Sequence, residues 1–133
     1  MFSPLCPICT KPVSSPACTS CSYNQSVELP ADIEIEPKGA QKLLETKGVL
    51  VDVREDDERE LTKIEGSIHM KLRNIPEEFD TLNIAKIIIT QCHHGVRSLH
   101  AARFLYQKGY NVHSLAGGIA RWSEEVDPSV PEY

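Results

Sequence analysis

The sequence predicts an α/β fold, in which helices flank a central parallel sheet of five strands, together with a small metal-stabilised module at the N-terminus. Short apolar runs rich in β-branched residues alternate with helical segments over most of the chain. Strands joined through helices pair in parallel with right-handed crossovers. The first thirty residues differ, because they contain four of the five cysteines and few apolar residues. We therefore expect a module and linker over 1–30 and a sheet domain over 31–133.

The strands and helices of the sheet domain alternate in order along the chain. Residues 22–32 are predicted to form a linker. The predicted strands, recognised by alternating or continuous apolar residues, are 33–35 near a sheet edge, 49–53, 67–70, 87–91 and 112–115. The predicted helices, recognised by their spacing and by flanking Gly or Pro, are 38–47, 76–82, 99–106 and 119–126. No internal repeat is evident.

The composition argues against several functional classes. The net charge of −5 lacks the basic balance of a nucleic-acid-binding protein. No apolar run approaches the roughly 20 residues that span a bilayer, so we expect no membrane contact. The N-terminus also lacks the basic region and apolar core of a signal peptide. We therefore expect a cytoplasmic protein, whose thiols stay reduced.

The lone cysteine, Cys92, lies between a predicted strand and a predicted helix. Open α/β sheets bind ligands at the carboxyl ends of their strands. Unpaired N–H groups and the dipole at a helix N-terminus also favour anions there. A thiol at this position is expected to ionise more readily than a free one. The alternative is a buried structural cysteine.

The neighbours of Cys92 favour a functional loop. Gly95 permits a backbone turn that other residues resist, and Arg97 supplies a fixed charge with a planar fork of donors. Ser98 is expected to cap the following helix. His93 and His94 either tune the thiolate and contact the substrate, or face solvent while only their backbone amides act.

The segment 92–98 resembles the active-site loop of single-domain rhodaneses, a sulfurtransferase family. Segments 51–55, 66–69, 115–122 and 127–131 resemble other parts of the family domain, so the resemblance extends over about residues 31–133. It implies a rhodanese-like five-stranded fold with Cys92 and Arg97 as catalytic residues. It also implies a substrate-binding loop made of His93, His94, Gly95, Val96 and Ser98. The chain departs from the family pattern at 62–66, which lacks the usual His and Pro, and at Gln91, where an aromatic or small apolar residue is frequent.

The resemblance also implies a reaction. The thiolate of Cys92 would attack the outer sulfur of a donor such as thiosulfate or a persulfide, while Arg97 and the loop amides hold the anion. Sulfite would leave, and the Cys92 persulfide would pass its sulfur to a thiol or to cyanide, without an organic cofactor. One alternative is a phosphatase or arsenate reductase, although related phosphatases have a loop one residue longer than the four residues between Cys92 and Arg97. Another is a sulfur carrier, thiol sensor or interaction module with little turnover.

The remaining cysteines form two Cys-x-x-Cys pairs, Cys6 with Cys9 and Cys18 with Cys21. Two such pairs can surround one tetrahedral ion, and four thiolates leave no open position for catalysis. Because the module has too few apolar residues for its own core, metal binding would supply the missing folding free energy. We expect structural zinc, with iron as the main competing metal and disulfides or a redox pair as weaker readings. The module is also a candidate surface for a protein partner.

The charge run at 54–60 is predicted to be a solvated face. Asp52, just before it, is expected to form a buried hydrogen bond or ion pair. The alternative is that Asp52 or Arg54 reaches the rim of the active site. We expect His69 to be structural and Trp122 to contribute to packing. His100 and His113 show no distinguishing signal.

Overall fold

The computed structural model describes residues 4–131, so the outermost residues of both predicted domains, 1–3 and 132–133, lie outside the described residues. The strands are β1 (Glu34–Ile35), β2 (Gly48–Asp52), β3 (Ile68–His69), β4 (Ile87–Gln91) and β5 (Asn111–Leu115). The helices are α1 (Pro37–Leu44), α2 (Asp56–Leu61), α3 (Ile75–Glu78), α4 (Val96–Gln107) and α5 (Gly118–Glu125). Two 3-10 turns, Leu72–Asn74 and Phe79–Thr81, flank α3.

The five strands form one sheet in the spatial order β1-β5-β4-β2-β3. Every pair is parallel, which confirms the predicted five-stranded parallel sheet. Strand β4 lies in the middle, between β2 and β5. Because all strands point the same way, the loop that follows β4 is flanked by the carboxyl ends of both neighbours.

Helix boundaries differ from the sequence prediction where turns and caps decide them. Helix α4 begins at Val96 rather than at residue 99, because Gly95 adopts a left-handed φ of 109° and turns the chain directly into the helix. The charge run contains an unpredicted helix, α2, whose start is closed by a reciprocal capping box between Glu55 and Glu58. Within residues 4–131, none of the helices is long and apolar enough to cross a membrane.

Two apolar clusters cover the two faces of the sheet, because side chains alternate along each strand. Ile89 and Trp122 lie in the cluster beneath α1 and α5, which confirms Trp122 as a packing residue. Ile88 and Phe104 lie in the cluster beneath α4, and this cluster continues into the N-terminal module. Residues of the module in that cluster are Cys6, Ile8, Val13, Cys18 and Tyr23. The segment predicted as a linker thus begins with docked residues, since Tyr23 is fully buried.

Candidate active site and metal centre

The sulfur of Cys92 lies at the carboxyl end of β4 and faces the start of α4. The backbone N–H groups of Gly95 and Ser98 point at Sγ, with N···S distances of 3.1 and 3.4 Å. The Cys92 side chain is only 2% exposed, and its thiol lies 3.5 Å from the Ser98 hydroxyl oxygen. Oriented N–H dipoles in a site that excludes water can stabilise negative charge on sulfur. The cradle therefore suits an anionic sulfur atom.

Close backbone packing holds the Cys92 loop against the start of α5. The backbone N–H of Ile119 donates to the Cys92 carbonyl at 2.8 Å. Gly118 has a left-handed φ of 61°, and a Cβ atom there would lie 2.3 Å from the Cys92 carbonyl oxygen. Such contacts do not occur between real atoms without movement of the backbone. The turn at residues 117–118 therefore lies directly against the cysteine loop.

A buried polar chain supports the loop from beneath. The Ser98 hydroxyl lies 2.8 Å from the Ser114 hydroxyl on β5, and the Thr90 hydroxyl donates to the Ser98 carbonyl at 2.7 Å. Ser98 is fully buried, and the helix is capped by the Gly95 backbone without a side-chain hydrogen bond. The expectation that Ser98 caps α4 is therefore wrong, because its hydroxyl turns inward toward Ser114.

Arg97 pairs with Glu58, a residue of α2 that the sequence analysis did not single out. Its two Nη atoms donate to the two carboxylate oxygens of Glu58, at 2.5 and 2.8 Å. Glu58 also accepts a hydrogen bond from the Glu55 backbone N–H at 3.1 Å. Helix α2 is thereby connected to the cysteine loop, and the Arg97 charge lies beside a carboxylate. Contact between Arg97 and a donor remains a prediction.

The outer rim of the loop is formed by His93, His94 and Val96. The two imidazole rings stack, with centroids 3.8 Å apart. His93 is half-buried and His94 is exposed, while Val96 is 69% exposed. These three residues thus give the loop that follows Cys92 an aromatic and apolar surface that is partly exposed.

The charge run at 54–60 is not uniformly solvated. Arg54 is fully buried and forms a two-point ion pair with Asp52, with both distances 2.9 Å. Arg59 contacts the same carboxylate at 3.0 Å. The expected buried ion pair of Asp52 is confirmed. The prediction that Arg54 belongs to a solvent-exposed face is wrong, because its guanidinium is buried against Asp52 and the Thr62 carbonyl. His69 is structural, since its Nε2 lies 2.7 Å from the Arg54 carbonyl oxygen.

The four N-terminal cysteines form a second cluster with metal-binding geometry. Their sulfur atoms all lie within 4.8 Å of one another, and none of the five cysteines forms a disulfide. The Sγ atoms of Cys6 and Cys21 are 3.7 Å apart, and those of Cys9 and Cys18 are 3.6 Å apart. Four thiolates at about 2.3 Å from a tetrahedral zinc ion would lie about 3.8 Å apart. The four side chains therefore fit one metal ion.

The backbone of the module repeats the same turn around each pair of cysteines. The N–H of Thr10 donates to the Cys6 carbonyl at 3.0 Å, and that of Ser22 donates to the Cys18 carbonyl at 2.9 Å. Thr10 and Ser22 also share a left-handed backbone, with φ of 64° and 70°. The two pairs thus form equivalent turns, although only the cysteine spacing is repeated plainly in the sequence.

Burial and hydrogen bonds shift the pKa values of three of the four thiols in different directions. Although burial alone would raise the pKa of Cys18, the backbone N–H groups of Cys21 and Ser20 lower it to about 7. Burial raises the pKa of Cys6 and of Cys21 above the ordinary thiol value. A cation between the sulfurs would offset their mutual repulsion and favour the deprotonated form.

The module docks on α4, the helix that begins at the cysteine loop. The Tyr23 hydroxyl lies 2.9 Å from Nδ1 of His100 and accepts a hydrogen bond from Arg103 at 3.1 Å. Gln107 accepts from the Asn24 backbone N–H at 3.0 Å, and its Nε2 donates to the Ser22 carbonyl. His100, which showed no signal in the sequence, is therefore part of an internal interface.

Comparisons with known proteins agree with this fold. The family model described as "Rhodanese-like domain" matches residues 36–125. A putative sulfurtransferase, YtwF of Bacillus subtilis, is 33% identical over 79 residues, which cover 59% of this chain and 77% of that protein. The thiosulfate sulfurtransferase GlpE of Actinobacillus succinogenes is 32% identical over 102 residues, which cover 75% of this chain and 92% of that protein.

Solved structures agree as well. A rhodanese-related protein from Thermoplasma volcanium superposes with a TM-score of 0.68 at 31% identity, covering 75% of this chain and 98% of that one. The four-cysteine module precedes the residues that the family model matches. The matched residues include the whole sheet from β2 to β5 and the cysteine loop. This chain belongs to the rhodanese-like domain family.

Proposed function

We propose that the chain is a sulfurtransferase that moves a sulfane sulfur from a donor such as thiosulfate to a thiol or to cyanide, through a persulfide on Cys92. The observation that supports this most directly is the pair of N–H groups from Gly95 and Ser98 on the Cys92 sulfur. The names of two relatives, the putative sulfurtransferase YtwF and the thiosulfate sulfurtransferase GlpE, support the same class of reaction.

The proposed reaction has two halves. The Cys92 thiolate attacks the outer sulfur of thiosulfate; a new S–S bond forms, the donor's own S–S bond breaks, and sulfite leaves with the bonding electron pair. An acceptor thiolate then attacks the terminal sulfur of the persulfide and returns Cys92 as a thiolate. Because a covalent intermediate separates the halves, ping-pong kinetics are expected.

The cradle suits both the thiolate and the persulfide. An S–S bond is about 2.05 Å long, so the terminal sulfur of the persulfide would stay close to the residues of the same loop. N–H groups at a helix start would stabilise charge on either sulfur without a proton of their own being transferred. His93, His94 and Val96 would then be the first residues that an acceptor contacts.

We also propose that Cys6, Cys9, Cys18 and Cys21 bind a structural zinc ion. The ion would supply folding free energy to the module, because four thiolates complete its coordination. Metal analysis of the purified protein tests this, with one zinc per chain expected. Iron in its place, or no metal in a folded protein, would contradict the zinc assignment.

The sulfurtransferase proposal is tested by intact mass spectrometry after mixing the protein with thiosulfate, with and without cyanide. We expect a gain of one sulfur atom that peptide mapping assigns to Cys92 and that cyanide removes. Cys92→Ser, checked for unchanged circular dichroism and metal content, should show no gain and no turnover. A stable persulfide that no thiol or cyanide removes would instead favour a sulfur carrier.

A further inference from the structure

We propose that Glu58 determines the charge of the donor that the Cys92 loop accepts. By pairing with Arg97, it makes the loop favour singly charged sulfane donors, such as organic thiosulfonates and persulfides, over the thiosulfate dianion. This inference rests on the proposed function, since it concerns the donor for Cys92. Glu58 is a positioning residue here, because it acts on the donor through Arg97.

The geometry of the Glu58–Arg97 pair supports this role. Each of the two Arg97 Nη atoms donates to a different carboxylate oxygen of Glu58, at 2.5 and 2.8 Å. The two side chains are only 34% and 18% exposed, so solvent screens the pair less than it would an open surface pair. The carboxylate is also fixed by the Glu55 N–H. A donor anion would have to compete with a well-held carboxylate for Arg97.

Other arginines at this edge of the sheet are also bound to carboxylates. Arg54 and Arg59 both contact Asp52. Arg121, which packs over the turn at Gly117, pairs with Glu36 and Glu125. Each of these arginines is bound to a carboxylate, and the three carboxylates together balance the three arginine charges. What faces the sulfur directly is the pair of neutral N–H dipoles.

The N–H dipoles of Gly95 and Ser98 can stabilise one negative charge on a donor sulfur, whereas thiosulfate carries two negative charges. Its outer sulfur would be held by the N–H groups, but its sulfonate charge would lie near the Glu58 carboxylate and gain little from Arg97. Methanethiosulfonate has the same sulfur–sulfur bond with a methyl group in place of one anionic oxygen. Methanethiosulfonate would therefore keep the hydrogen bonds from the loop N–H groups to its outer sulfur, and it would lose the repulsion between the second donor charge and the Glu58 carboxylate.

The same chemical step applies to both donors. The Cys92 thiolate attacks the outer sulfur, the new S–S bond forms, and the donor's S–S bond breaks. Methanesulfinate leaves from methanethiosulfonate, as sulfite leaves from thiosulfate, each taking the bonding electron pair. Neither reaction requires an external oxidant, reductant or proton. The rates of persulfide formation from the two donors therefore differ only through the charge of the donor and the nature of its leaving group.

The test compares the rate of Cys92 persulfide formation with the two donors in three proteins: the natural chain, Glu58→Gln and Glu60→Gln. Glutamine at position 58 keeps an acceptor for the Glu55 N–H and removes the charge that compensates Arg97. We expect the ratio of the thiosulfate rate to the methanethiosulfonate rate to rise about tenfold in Glu58→Gln. In Glu60→Gln, which removes an equal charge from an exposed position of α2, it should change less than about twofold.

Equal changes with both donors, or no change, would overturn the proposal, because a merely structural role of Glu58 affects both alike. A second measurement needs no variant: inhibition of the natural chain by sulfate and by methanesulfonate. We expect sulfate to bind no more tightly than methanesulfonate, and a sulfate preference above about tenfold would overturn the proposal. If no donor forms a persulfide on Cys92 in the natural chain, the proposed function itself fails.

Discussion

The hydrogen bonds of Tyr23 predict a measurable link between the four-cysteine module and the sheet domain. In Tyr23→Phe the ring stays and the hydroxyl is lost, so His100 and Arg103 each lose a partner that lies 2.9 or 3.1 Å away. A buried polar group left without its partner costs about 1–3 kcal/mol. Both partners are half-buried, and water can replace part of the loss. We therefore expect unfolding free energy to fall by about 2 kcal/mol.

Urea unfolding of the chain in a zinc-containing buffer, followed by far-ultraviolet circular dichroism, measures this change. With a typical slope of about 1–3 kcal/mol per molar urea, the midpoint should fall by roughly 1 M. The matched control is Tyr106→Phe, which removes a hydroxyl from an exposed tyrosine of the same helix. Its effect should be within about 0.5 kcal/mol. Equal midpoints for the two variants would refute the view that the Tyr23 hydroxyl stabilises the docked module.

Three further measurements test other parts of the structure. Gly118→Ala should abolish persulfide formation on Cys92, because the new Cβ would lie 2.3 Å from the Cys92 carbonyl oxygen. The control Gly66→Ala, at a φ of 84° with no atom within 4 Å, should cost only about 1–2 kcal/mol of stability. Equal losses of persulfide formation in the two variants would contradict the packing argument. Burial lowers the pKa of His100 from its usual 6.5, so the folded protein favours the neutral imidazole. The unfolding free energy should therefore be constant above about pH 6.5 and fall below it, and it should fall less in His100→Asn. Identical dependence of the unfolding free energy on pH in the two proteins would refute this role of His100. If the four cysteines bind the proposed metal, a chelator should lower the melting temperature, because the module shares an apolar cluster with α4. An unchanged melting temperature after complete removal of the metal would contradict that coupling.

The sequence by itself determined the features that depend on local patterns. The β-branched run of β4 and the helix after it placed Cys92 at a strand end, because periodicity and turn residues act over a few positions. The spacing of the cysteine pairs likewise indicated one four-sulfur cluster, since each pair forms its own turn. The resemblance of the 92–98 segment to rhodaneses indicated the family, which the comparisons show.

Only the tertiary structure decided which polar residues meet. Glu58 and Arg97 are 39 residues apart in the chain, and Tyr23 and His100 are 77 apart. Within the charge run nothing local distinguishes the buried Arg54 from its exposed neighbours. Such pairs form because crossover helices bring remote segments to one edge of the sheet, where a charge that loses water must find a partner. Local sequence patterns therefore predicted where Cys92 lies in the fold, whereas the packing of α2 and α4 determined which charged side chains surround it.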